Sequence, residues 1–585
     1  MNTMRNCSKK FVIPIVLCLI CFIGRGQAEE PASPRVVEMK LAQCVEAALR
    51  NNREIIIERM NVRAAGEDVV QAWSDFDPFV TADAGVNHFR RPSGSQLLGA
   101  TVSEQETVQA NIGVGARVPT GGVLKVDFQN ERAESNSYFQ ELNPQYSTAL
   151  VFSITQPLLR NAGIQTNLYR VKLAQNNRAV SEIALQSVIL QTVGRVEESY
   201  WGLVLALENL EVTRTSLKLA DEILQLTQAQ VKNGILPPVA TLQAEATKAS
   251  REEAVIIAEN AVQTAQRNLQ NVLNVRDDAR IVIVPTDRPS EPVTIGEMDK
   301  ILEEAVKNNF QLKQLELQLK NAGLVVRVGR NQMLPRLDLV ASFGLVGLSG
   351  DASDPITQLM QTGRVLPDPT GTSLGILETY AYTPPPNPFN GDYLDALDAL
   401  ASGDYYTWSV GIQFHYPIGN RSARTNYSRA IIEEQKLMLQ YESARRLVEL
   451  AVKNVEGEYQ TALKRMEATK IAVELTRRNM EAEKKKFAVG LSTNRDVLET
   501  QEAFARAMSA DIQAKIDYNL ALGKLERARM GYLEIGGLSS LPAVSAPTAG
   551  IVSPSVAPTA SMPSSTGGVS SQNIPAEVKT LLGIQ

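Results

Sequence analysis

Ala48-Leu49-Arg50-Asn51-Asn52 returns as Ala305-Val306-Lys307-Asn308-Asn309, and this return decides the fold. The same offset of 257 residues lays Ala65 on Ala322, Val69 on Val326 and Pro78 on Pro335 without a gap. Further on, an offset of 256 lays Asn233-Gly234-Ile235 on Val489-Gly490-Leu491 and Leu242 on Leu498. The chain is one unit written twice.

Between these anchors runs a seven-residue stripe. Ile189, Val196, Leu203, Leu210, Leu217, Leu224 and Val231 carry it in the first half; Val452, Tyr459, Met466, Val473, Met480 and Phe487 carry it in the second. A sustained heptad means a helix whose seam packs knobs-into-holes against a neighbour. No proline falls between Thr166 and Asn233, so at 1.5 Å per residue the first helix reaches about 100 Å. Gly234 and Gly490 stop these helices, Pro237-Pro238 can open the next one, and alanine-rich return helices follow. The spacing predicts helical hairpins over 163–276, with a tip near 234, and over 421–531, with a tip near 490. Shorter helices are predicted over 41–77 and 295–333.

After Pro78 and Pro335 the period changes to two. Val80, Ala82, Ala84 and Val86 alternate with Thr81, Asp83, Gly85 and Asn87; similar segments fall at 108–118, 124–131, 148–156, 337–345 and 407–416. Strands are thus expected within 79–156 and at 336–346 and 407–416. Strict alternation suits a membrane barrel with one face to lipid and one to water. A handful of strands cannot close around a lumen, and an open edge is not viable in lipid, so several subunits must share the barrel. Repeat 1 spans 38–293 and repeat 2 spans 294–535. The Pro- and Gly-rich insert 347–404 reads as an outward loop, and the Ser/Pro/Ala/Thr-rich tail 536–585 as disordered.

Residues 1–28 read as a signal peptide: Arg5, Lys9 and Lys10 precede the apolar run Phe11–Ile23, and Gly26-Gln27-Ala28 supplies the small cleavage residues. Removing it lowers the 59 basic residues to 55 against 64 acidic, a balance of −9. That balance disfavours nucleic acid as a partner. Cys7, Cys18 and Cys21 leave with the signal, so Cys44 remains alone and no intrachain disulfide forms. Gln43 before it, and Glu38 and Lys40 upstream, do not suit an acylation site. His88 and His415 lie in strand segments, and no metal-ligand spacing, phosphate loop or nucleophile elbow is present. No catalytic residue, metal or cofactor is expected.

In this order, the duplicated parts resemble the TolC-type outer-membrane efflux family over residues 38–535. The motifs that carry the resemblance are Ala47-Ala48-Leu49-Arg50-Asn51-Asn52, Gln156-Pro157-Leu158, Tyr416-Pro417-Ile418, Val489-Gly490-Leu491-Ser492 and Asp496-Val497-Leu498. The implied fold is mainly α with a β-barrel portion: two repeats, each a short helix, membrane strands and a very long coiled-coil hairpin. The implied assembly is a homotrimer whose shared barrel sits in outer-membrane lipid above a periplasmic tunnel. It also implies two partners, a periplasmic adaptor (membrane fusion protein) and an inner-membrane RND or ABC transporter. The function implied is a passive exit duct for small molecules or for type I secretion. By the same resemblance, Asp496 and Glu499 would ring the periplasmic gate. Gly234, Ile235, Leu236, Gly490, Leu491 and Ser492 would form the hairpin tips that dock the adaptor. The first half departs from the family pattern, offering up to four strand segments where two are expected, with Pro119-Thr120-Gly121-Gly122 as a turn. A periplasmic coiled-coil scaffold or adaptor without a barrel is the competing reading.

Overall fold

A computed structural model describes residues 35–94, 101–137, 140–234, 236–275, 281–289, 297–352, 358–366, 376–382, 387–489 and 491–533. The signal peptide, the tail 536–585, Ile235 and Gly490 lie outside the described residues.

The first repeat opens with β1 (Arg35–Met39), α1 (Leu41–Asn51) and α2 (Arg53–Trp73). Four strands follow: β2 (Phe79–Pro92), β3 (Val102–Arg117), β4 (Val123–Ser135) and β5 (Leu142–Pro157). The turn α3 (Ile164–Asn167) leads into the hairpin of α4 (Tyr169–Lys232) and α5 (Val239–Val272), closed by β6 (Ile281–Pro285). The second repeat comprises α6 (Met298–Asn308), α7 (Phe310–Gln332), β7 (Arg336–Ala352), β8 (Gln358–Leu366), β9 (Ile376–Tyr382), α8 (Tyr393–Ser402) and β10 (Tyr406–His415). It ends in the hairpin of α9 (Arg421–Ala488) and α10 (Asn494–Arg529).

The helices predicted over 41–77 and 295–333 are each two helices, and the repeated asparagine pair is the reason. Asn52 ends α1 and caps α2, its Oδ1 accepting from Glu54 N at 2.9 Å and Ile55 N at 3.3 Å. Asn309 does the same between α6 and α7, accepting from Leu312 N at 3.0 Å. An asparagine that bonds the next turn's amides competes with its own helix, so the chain bends there.

The 347–404 segment is not wholly a loop. It contains the end of β7, the β8–β9 hairpin and α8, capped by a reciprocal Asp392–Asp395 box. Pro384-Pro385-Pro386 lies outside the described residues.

Every residue of both heptad stripes is buried or half-buried. Val196, Leu203, Tyr200 and Trp201 of α4 meet Cys44 and Ala48 of α1, Leu269 of α5, Ile283 of β6 and Ile516 of α10 in one core. Beside them β1 pairs in parallel with β6, and Tyr200 Oη donates to Met39 O at 3.2 Å. At 1.5 Å per residue the 64 residues of α4 span about 96 Å, and the 68 of α9 about 102 Å. Among the described residues no helix is long and apolar enough to cross a membrane.

Candidate functional site

Six strands form one antiparallel sheet in the order β10-β7-β5-β4-β3-β2. Its register sorts the side chains into continuous rows. Val80, Val114, Val126, Phe152, Phe343 and Trp408 lie side by side across all six strands; the next row is Ala82, Ile112, Phe128, Leu150, Leu345 and Tyr406. The opposite face carries Phe79, Gly115, Lys125, Ser153, Ser342 and Ser409 in one row, and Thr81, Gly113, Asp127, Val151, Gly344 and Thr407 in another. Hydrogen bonds on that face join Ser342 Oγ to Ser409 Oγ at 2.8 Å and Asn111 Nδ2 to Asp83 Oδ2 at 2.9 Å. The apolar face is bare: Val80 is 68% exposed and Trp408 67%. A two-faced sheet with an uncovered apolar side meets hydrocarbon on one side and water on the other.

The four helices that enter or leave the sheet, α2, α4, α7 and α9, all lie at one end of it. At the other end α8 packs over β5 and β7, and Thr148 Oγ1 donates to Ala396 O at 3.2 Å.

The far end of the helices carries the tips. Gly234 follows the last turn of α4 at φ +78°, a left-handed value that favours glycine. Leu236 folds back onto the cluster of Ile223, Phe487 and Val497, which joins the two hairpins. On the second tip Leu491 is 79% exposed, and Ser492 Oγ donates to Glu483 Oε1 at 2.6 Å. Asp496 and Glu499 are both exposed. Asp496 completes a capping box: the Thr493 hydroxyl donates to Asp496 Oδ2 at 2.6 Å, and Asp496 N donates to Thr493 Oγ1 at 3.3 Å. Those bonds from Thr493 hold the Asp496 carboxyl below the usual aspartate range, so it is ionised while it caps.

The heptad reading missed a polar seam between the tips. Thr227 on α4 and Asn494 and Gln501 on α10 lie about a turn from Ile223 or Val497, and their buried Oγ1, Oδ1, Nδ2 and Nε2 atoms have no hydrogen-bond partner among the described residues. Only the polar side chains on the helices' apolar faces could have signalled it. Among the described residues no cluster of His, Cys, Asp and Glu could hold a metal ion.

Residues 44–275 and 301–529 match the model of the outer membrane efflux protein family. The alkaline protease secretion protein AprF of Pseudomonas aeruginosa is 24% identical over 394 residues, 66% of this chain and 70% of that protein. A membrane protein of known structure from Pseudomonas aeruginosa superposes with a TM-score of 0.57 at 17% identity, over 85% of this chain and 94% of its own. The Campylobacter jejuni CmeC outer membrane channel superposes with a TM-score of 0.55 at 15% identity, over 85% and 86%. The duplicated hairpins, the two-faced sheet and the matched residues lead to one conclusion: the chain belongs to the outer membrane efflux protein family, its sheet in the outer membrane and its helices in the periplasm.

Proposed function

We propose that three copies close into a passive exit duct that takes substrate from an inner-membrane RND or ABC pump through a periplasmic adaptor. The observation that carries this reading is the sheet with unbroken apolar rows on one face and polar rows on the other, set on hairpins about 100 Å long. A soluble scaffold has no use for such a face. Copies complete what one chain leaves open in the tunnel as well. Within the chain α10 packs on α4; by the repeat, α5 matches α10 and α9 matches α4, so α5 of one copy should pack on α9 of the next. Ile256 and Ile257 on α5 and Ile471 and Leu475 on α9 stand exposed for that contact.

Three copies of Asp496 and Glu499 would place six carboxylates around the tunnel entrance, where like charges in a narrow pore attract cations. The polar seam of Thr227, Asn494 and Gln501 suits an entrance that parts, because polar side chains regain hydrogen bonds with water when such a seam opens. Leu491, with Gly234, Leu236 and Ser492 beside it, is the apolar point offered to an adaptor. The similarity to a protein named for alkaline protease secretion favours polypeptide as the cargo.

Planar-bilayer recording of the purified oligomer tests the duct and its gate. Discrete conductance with block by divalent cations is expected, and Asp496→Ala with Glu499→Ala should weaken the block at least tenfold. Unchanged block in the double variant would remove these residues from the gate; no conductance at all would remove the duct.

A further inference from the structure

We infer that the duct is closed by eighteen strands, six from each copy, with β10 of one copy paired antiparallel to β2 of the next. The inference rests on the three-copy reading above and adds the size of the barrel, which two strands per repeat would set at twelve.

The edges come first. β2 pairs only with β3, and β10 only with β7, among the described residues. Both apolar rows run out to those edges, ending on Val80 and Ala82 at one side and on Trp408 and Tyr406 at the other. Each edge would therefore leave unpaired amides and carbonyls in hydrocarbon unless another strand covers it. The opposite face runs to the same edges, one row ending on Thr81 and Thr407 and the next on Phe79 and Ser409, so one pairing continues both faces. Direction agrees too: β2 leaves the helical end and β10 returns to it, so the new pair is antiparallel and the strand number even.

The second question is whether β3 and β4 belong to the barrel wall or hang from it as a flap. Their connecting turn is fastened to the roof of the tunnel. Thr120 Oγ1 donates to Gln156 Oε1 at 2.9 Å, and Gly163 N donates to Thr120 O at 3.1 Å. Gly121, at φ +98°, lies so close to the Asn161 carbonyl that no Cβ would fit. The β3–β4 turn thus stands at the level where β5 meets Pro157, and β3 and β4 span the same height as β5, residue against residue.

Circumference gives the third argument. At the roof each copy presents four helices, α2, α4, α7 and α9, so three copies present twelve. At an interaxial spacing of 8–10 Å, twelve helices describe a ring of about 95–120 Å. Eighteen strands spaced about 4.8 Å and tilted about 40° describe about 113 Å, whereas twelve describe only about 75 Å. The eighteen-strand wall fits the tunnel beneath it without a funnel. It gives a barrel about 36 Å across between backbones, in the size range of barrels that hold an open aqueous channel.

Cryo-electron microscopy of the full-length oligomer in detergent, counting strands in the membrane belt, tests this directly. Three copies with eighteen strands are expected. Three copies with twelve, β3 and β4 folded away, would overturn the inference and leave the duct standing; a monomer or a sheet outside the micelle would sink both. In parallel, Thr81→Cys is combined in turn with Thr407→Cys, Ser409→Cys and Gly411→Cys and treated with a short bismaleimide in native membranes. At least one pair should give a covalent trimer on denaturing gels. No cross-link from any pair, in a protein shown to be trimeric, would contradict the β10–β2 seam.

Discussion

Cys44 is buried inside α1 with no exposed surface, and burial, with Asp287 behind it, pushes its thiol up to about 11. It is therefore neither a lipid attachment point nor a reactive thiol. Folded protein at pH 8 should take up no maleimide, and denatured protein one equivalent; labelling of the folded form would show that the α1–α4 core is not packed as described. Arg527 of α10 and Glu197 of α4 form a buried pair beside Gly194 and Gly523, where any side chain would crowd them. Burial pushes the Glu197 carboxyl up and the Arg527 charge pulls it back. Arg527→Met should destabilise the oligomer by about 3–5 kcal/mol, because it strands a buried carboxylate, and Glu197→Gln added to it should recover part of that loss. Melting temperatures of the three variants check the order. At the second tip the sign runs the other way: the depressed Asp496 carboxyl contributes its cap above the unfolded aspartate range and loses it as pH falls through the lowered folded value. Thr493→Ala should thus lower the melting temperature more at pH 7 than once the carboxyl is protonated, when only the bond from Asp496 N to Thr493 Oγ1 is left to lose; an equal loss at both pH values would rule out the reciprocal cap. The Arg527–Glu197 pair could not be read from the chain, since a lone Glu or Arg in a long helix looks like solvated surface until a partner helix arrives, whereas Asp496, three residues after Thr493, also reads as a helix N-terminal carboxylate. The mid-helix Gly194 and Gly523 were the available sign.

Helices and strands were more legible than their joints. The heptad stripes run unbroken from Ile189 to Val231 and from Val452 to Phe487, and they mark both long helices and point to both turns in the chain. Period two marked all six strands of the large sheet, and the residue pattern, with four strands in the first repeat, prevailed over the family expectation of two. What was misread is the repeated asparagine pair: it served as an alignment anchor, yet its physical work is to end one helix and cap the next. Asn309, which is 2% exposed, and Asn52, which is half-buried, should each cost about 1 kcal/mol when changed to Ala, with Asn309 at the upper end. Thermal unfolding of the two variants would show this, and equal, negligible shifts would mean that the bends are set by packing alone. α8 was missed because the Pro- and Gly-rich insert masked a short helix. Its signature was present as Asp392 and Asp395, three apart and followed by an apolar-rich turn.

At the scale of the whole molecule, a membrane protein without a membrane helix has to expose its lipid face as strands, and here the two edges of that sheet, β2 and β10, lack a partner strand among the described residues. The duplication in the sequence explains why one chain is not enough: each repeat offers a surface that the other repeat, or another copy, must cover. The proposed duct carries an orientation with it, α8 outside the cell and the hairpin tips deep in the periplasm. Leu394 on α8 is 65% exposed and Leu491 at the second tip is 79% exposed, and Cys44, the only cysteine among the described residues, is buried. Single-cysteine reporters at these two positions, labelled with a membrane-impermeant maleimide on intact cells, test the central claim most directly. Leu394→Cys should label on intact cells, and Leu491→Cys only after the outer membrane is permeabilised. Equal labelling of the two before permeabilisation, or labelling of neither until it, would contradict a duct that spans the outer membrane.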